Sequence, residues 1–256
     1  MGWDITYHPL GSDEIAAVYF AGVENPDRVV EFAERYNVPG FHHENLANAF
    51  ATGRDDDMGG PFATYHGMNM AVVAGHLRKY WYVRGSAMSF LAGDADFTGY
   101  FSDFRELVPE AYKHLQFDNQ LTQNYCCGVY MDNAALRRLM DDIATTPAVR
   151  EKMMDLFSHG RFEVFKAAAE YALDEGLGLL EAAEVLEPNP MDLNSSRCLS
   201  NLHNCDPAGA ILYHEAAMEQ IRAIRDQEEE ARKDEETASV EQPKKQGFFS
   251  RLFGKK

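Results

Sequence analysis

The stretch DNAALRRLMDDIATTPAVREKMMDLFSHGRFEVFKAAAEYALDEGLGLLEAAEVLEPNP, Asp132 to Pro190, decides the fold class. Asp132 is a short acceptor placed ahead of Ala134, Ala135, Leu136, Leu139 and Met140, so it predicts a capped helix with an apolar stripe. Thr146-Pro147 predicts a second helix, because proline at the first helical position gives up only an amide that has no partner there. Met153, Met154, Leu156 and Phe157 carry that helix until His159-Gly160 breaks it. Phe162 to Leu173 repeats apolar residues three and four apart, and Leu177 to Leu186 does likewise until Pro188-Asn189-Pro190 stops the run. A last helix is expected over Ala208 to Arg225, with Asp206 as its cap and Pro207 as its first residue.

Upstream the pattern is more mixed. Met1 to Leu10 alternates around Trp3, Ile5 and Tyr7 and reads as a short strand ended by Pro9. Helix starts follow at Ser12 or Asp13, with Ile15, Val18 and Tyr19 behind them, and at Asn25-Pro26-Asp27, with Val29, Val30, Phe32 and Ala33 behind them. His42 to Thr52 reads as a short helix, and Thr64 to Lys79 as a buried one, with Gly67 and Gly75 arguing against it. Gly53 to Pro61 reads as an exposed loop. Tyr80 to Val83 and Cys127 to Met131 have strand character and are open to pairing with one another. The expected fold is mainly α with a few short strands, an α+β chain. A single compact domain covers residues 1–226, and a charged linker with a flexible, basic and aromatic C-terminal tail covers 227–256.

Among 256 residues, 45 % are hydrophobic and 12 % aromatic, enough for a sizeable core. The formal net charge of −17 repels phosphate backbones and argues against nucleic acid as a partner. It attracts and steers a basic one. Met1 to Leu10 lacks the basic start and apolar stretch of a secretory signal, and no apolar run spans a bilayer, so a cytoplasmic chain with reduced cysteines is expected.

The candidate chemistry is sparse. His42-His43-Glu44 puts adjacent side chains about 100° apart on a helix, whereas metal-binding helices space ligands three or four apart. Cys198, His203, Cys205 and His214 concentrate ligand types, but six residues separate the cysteines and one separates His203 from Cys205, unlike the close pairs of a zinc knuckle. No metal and no cofactor are therefore expected. Phosphate-binding glycine motifs and a G-x-S-x-G nucleophile are absent from the sequence. Asp55, Asp56 and Asp57, between glycines, are expected to be either solvated loop acids or a contact for a basic partner surface, since they lack the alternation of a calcium loop. Two segments, Phe117 to Tyr125 and Asn194 to Asp206, are dense in Asn, Ser and Asp, which suits turns and binding loops alike. In the tail, Phe248, Phe249, Leu252 and Phe253 fall on one helical face beside Arg251, Lys255 and Lys256. That face fits weak, reversible contact with a membrane surface or a partner's groove.

The opening MGWDITYHP, and the blocks LLEAAEVLEPNP and SNLHNCDPAGAILYHEAA between Leu179 and Ala217, resemble uncharacterised bacterial proteins. Some of those resemble immunity partners encoded beside type VI secretion or polymorphic toxins. The resemblance implies a cytoplasmic binding protein that neutralises a cognate protein toxin by occluding it. The alternative is a hydrolase using a pocket of His, Asp and Glu.

Overall fold

A computed structural model describes residues 3–55 and 60–241. The chain divides into two units, Met1–His214 and Glu215–Lys256. In order it forms β1 (Asp4–Leu10), α1 (Ser12–Glu14), a π-helical turn (Ile15–Phe20), α2 (Ala21–Glu24), α3 (Arg28–Arg35), α4 (His43–Asp55), α5 (Met68–Leu77), β2 (Tyr80–Arg84) and α6 (Phe104–Leu107). Then come β3 (Cys127–Met131), α7 (Asn133–Thr145), α8 (Pro147–Leu156), α9 (Arg161–Asp174), β4 (Gly178–Ala183), β5 (Leu186–Glu187), β6 (Arg197–Cys198), β7 (Cys205–Asp206) and α10 (Ala208–Glu241).

The first unit is built on a five-stranded sheet in the order β3-β4-β1-β2-β7, antiparallel except for the β2–β7 pair. Helices cover both faces. Leu180 and Ala182 of β4 join Phe20, Phe32, Phe50 and Phe62 in one core, while Ile5, Tyr7, Leu179 and Ala183 join Leu136, Met153, Phe157 and Phe165 in another. Full burial of a side chain of this size is worth about 1.5–3 kcal/mol.

Covering both faces explains a misreading. Residues Leu177 to Leu186 are expected to be helical but contribute the strand β4, paired with both β1 and β3. All six β4 residues are buried, so the sequence lacks the polar alternation of a half-exposed strand. β1 is central, and Pro9 lies within it rather than ending it. Pro9 pairs with Leu179 but stands beyond Tyr7, the last β1 residue paired with β2, where its missing amide costs little. The segments Tyr80–Val83 and Cys127–Met131 are both strands but do not pair, since β4 and β1 lie between them.

Local signals acted much as elementary chemistry dictates. Asp132 Oδ1 accepts from Ala135 N at 2.7 Å, and His159 and Gly160, with φ of 59° and 80°, separate α8 from α9. At α1 the cap is not Ser12 or Asp13: Glu14 Oε2 accepts from Gly11 N at 2.8 Å, and Glu14 also pairs with Arg78 and takes the Tyr36 hydroxyl at 2.7 Å. Arg78 and these donors hold the Glu14 carboxyl below its usual range against the opposing effect of burial, which is the largest single influence. The glycines of the Thr64 to Lys79 segment are placed by packing, because a β-carbon would press on Cys127 Sγ at Gly67 and on Ser200 Oγ at Gly75. The expected loop from Gly53 starts late, since α4 continues through Asp55. Among the described residues, no helix is long and apolar enough to cross a membrane.

Candidate functional site

A cleft of about 360 Å³ opens where β2, α9 and the first turns of α10 meet. Trp81, Val164, Ala167, Ile211 and Leu212 make it apolar, and Glu163 and Asp206 supply its charges. Its walls follow from local rules. Asp206 Oδ1, at the end of β7, accepts from Ala208 N at 3.0 Å, so α10 starts at Ala208 rather than at the expected Pro207, and β7 pairs with the start of β2, which brings α10 back onto the sheet. Gly209 then lies against the backbone of Tyr82, where any β-carbon would overlap the Tyr82 carbonyl. Lys79 reaches Asp206 at 3.5 Å and lies 5.7 Å from the Trp81 ring centre. Trp81 is 3 % exposed and forms the floor, whereas Ile211 is 43 % exposed at the mouth. An apolar floor with flanking carboxylates is suited to an apolar anchor carried on a basic partner.

A second polar centre is enclosed. Glu181 of β4 is opposite Tyr7 of β1 and accepts from its hydroxyl at 3.1 Å, while the backbone amides of Met88 and Ser89 donate from the neighbouring turn. Gly128 leaves the carboxylate room, since a β-carbon there would overlap Glu181 Oε1. Burial raises the Glu181 acid to about 7 despite these donors, and burial together with the Glu181 charge raises Tyr7. Both side chains are fully buried. The pair therefore ties the sheet to the Met88–Leu91 turn.

The third centre gathers histidines from distant segments. His42, on the Gly40–His42 turn, has its ring centre 5.2 Å from that of His76, in the last turn of α5. The four ring nitrogens of this pair are buried, and the two of His76 have no hydrogen-bond partner. The Asn201 side chain and His203 both act on His42, Asn201 favouring its protonated form and His203 opposing it. The turn carrying His203 is fixed by Asn204 Nδ2, which donates to the carbonyls of Gly75 and His76 at 3.0 and 3.1 Å. Burial lowers His76 to about 4, with His42 adding to the effect, and burial lowers His42 as well. His8, stacked 4.8 Å from Tyr80, is lowered by burial to about 3.

The structure thus scatters the histidine and cysteine motifs and recombines them. His43 Nε2 turns away to the Val38 carbonyl at 2.9 Å, and His214 Nδ1 to the Pro190 carbonyl at 2.6 Å. Cys198 Sγ lies 3.3 Å from the Tyr80 hydroxyl, and burial raises the Cys205 thiol to about 12. Cys126 and Cys127 are free and buried, and burial raises both thiols. Among the described residues, no three His, Cys, Asp or Glu side chains already converge on one point that could hold a metal ion. Asp55 ends α4 instead of lying in a loop; Asp56, Asp57, Phe248, Phe249, Leu252 and Phe253 lie outside the described residues. The polar segment from Asn194 to Asp206 satisfies carbonyls at the end of α5, with Ser200 Oγ donating to Val72 O at 2.7 Å. Sequence reasoning missed Trp81, Ile211, His76 and Glu181. The signal for Glu181 is a lone acid within an apolar run, GLLEAA. No protein-family model, curated protein or solved structure matches the chain.

Proposed function

We propose that the chain is a binding protein that neutralises a cognate protein toxin by occlusion, with the cleft beside Trp81 as the anchoring point. The observation that carries this reading is the cleft itself: an open, apolar depression of about 360 Å³ flanked by Glu163 and Asp206 on a chain of net charge −17. A buried aromatic floor supplies affinity, and the surrounding negative field raises the association rate of a basic partner. The hydrolase alternative gains no support from Glu181 and Tyr7, whose altered protonation belongs to enclosed side chains.

The test uses the product of the adjacent gene as the ligand. Ile211→Glu puts a charge at the mouth of the cleft, at a position exposed enough to leave the fold intact. The expected result is an affinity at least tenfold weaker, which corresponds to about 1.4 kcal/mol. An unchanged dissociation constant removes the cleft from the interface.

A further inference from the structure

We propose that His42, His76 and His203 form a binding site for a zinc-class divalent cation, with the first two imidazoles preplaced and the third brought in by rotation of the exposed His203 side chain. The proposal is independent of toxin binding at the cleft.

Spacing carries the argument. An imidazole nitrogen ligates zinc at about 2.1 Å, which puts the ring centre about 3.2 Å from the ion, so two rings at a tetrahedral angle have centres about 5 Å apart. The His42 and His76 ring centres are 5.2 Å apart, with the ring planes inclined at 60°. His76 is 1 % exposed, yet neither of its ring nitrogens has a hydrogen-bond partner, and the buried nitrogens of His42 have only the Asn201 side chain acting on them. Buried polar nitrogens are expensive to leave unpaired, and two imidazoles at this spacing can share one partner through one nitrogen each. Each neutral imidazole carries an N–H on one nitrogen and a lone pair on the other, so the two rings offer two lone pairs. A cation accepts them.

The surroundings favour a positive charge. His76 stands in the last turn of the ten-residue helix α5, whose carbonyl end carries partial negative charge. The exposed Phe41 ring lies 4.4 Å from that of His42. His203 is anchored through its backbone, with its N–H donating to Asn201 Oδ1 at 3.0 Å, and its turn is held to the His76 carbonyl by Asn204. Its ring is held by no hydrogen bond among the described residues, which leaves side-chain rotation as the movement that completes the site. Three nitrogen donors select zinc, cobalt, nickel or copper over magnesium or calcium, and leave a fourth position for water or substrate.

The experiment titrates cobalt(II) into the full, metal-depleted chain, following the visible absorption of four- or five-coordinate cobalt, and then displaces it with zinc(II). The expected result is one equivalent per chain. Outer partners of metal ligands are commonly worth about 10–100-fold in affinity, so His42→Gln and His203→Gln should each weaken binding by at least about tenfold. His203 is exposed and His42 half-buried, and circular dichroism verifies that both variants fold. His114→Gln, at an exposed histidine elsewhere, should leave binding unchanged. Absence of saturable binding overturns the proposal. So does binding that survives either of the first two substitutions, or binding lost on replacing Cys198 and Cys205 by serine while His42→Gln retains it.

Discussion

Acidification from pH 6.5 to pH 4 is expected to remove about 3 kcal/mol of stability through His8 alone. His8 lies in the central strand, fully buried, with Nε2 bonded to Thr6 Oγ1 at 2.9 Å and its other nitrogen without a partner. Burial lowers it from 6.5 to about 3. In this window the unfolded chain takes up a proton that the folded chain refuses, so the contribution is complete above pH 6.5 and is lost as pH falls towards 3. Glu181 works in the opposite sense. Its acid is raised from 4.5 to about 7, so the folded chain holds a proton that the unfolded chain has released. That contribution is complete below pH 4.5 and is lost as pH rises through 7, again by about 3 kcal/mol. Urea unfolding of the wild type, His8→Asn and Glu181→Gln across this range separates the two. The advantage of wild type over His8→Asn should shrink towards acid, and its advantage over Glu181→Gln should shrink towards neutral pH. Stability curves that run parallel for all three proteins would contradict both assignments.

Gly209→Ala is expected to cost about 3 kcal/mol, the upper end for overpacking a tight contact. The added carbon would overlap the Tyr82 carbonyl oxygen, a backbone atom of β2 that cannot rotate aside. Relief requires α10 to lift from the sheet, and Ala208, Ile211 and Leu212 would move with it, widening the cleft. Denaturant unfolding should show the loss without a change in slope, and partner binding should weaken in the same variant. A substitution costing less than about 0.5 kcal/mol, the usual range at surface sites, would mean that the contact is not tight.

How much of this was legible depended on where each signal resides. Helices α7, α8 and α9 carry their own caps and stripes, so Asp132, Pro147 and Gly160 mark them from local sequence. Strand β4 carries no such mark. Covered by α7 and α9 on one face and α5 on the other, it is apolar at every position but Glu181 and resembles a buried helix. The central place of β1 depends on its pairing with β4, far along the chain, and no local pattern encodes that. The sites show the same division. His42 and His203 belong to motifs that spacing alone argues against as metal sites, and His76 hides in the apolar segment MNMAVVAGHL; only the docking of the Leu202–Asn204 turn on the end of α5 brings the three together. Trp81 and Ile211 meet because Gly209 lets α10 rest on β2, a consequence of packing rather than of any motif.

The central claim, occlusion of a protein toxin at the cleft, is tested most directly by assaying the product of the adjacent gene with and without an equimolar amount of this protein. The account predicts that the wild-type chain abolishes the toxic activity and that Ile211→Glu, folded to the same extent, restores much of it. A neighbouring product with no toxic activity, toxic activity untouched by the wild-type chain, or full inhibition by Ile211→Glu would contradict it.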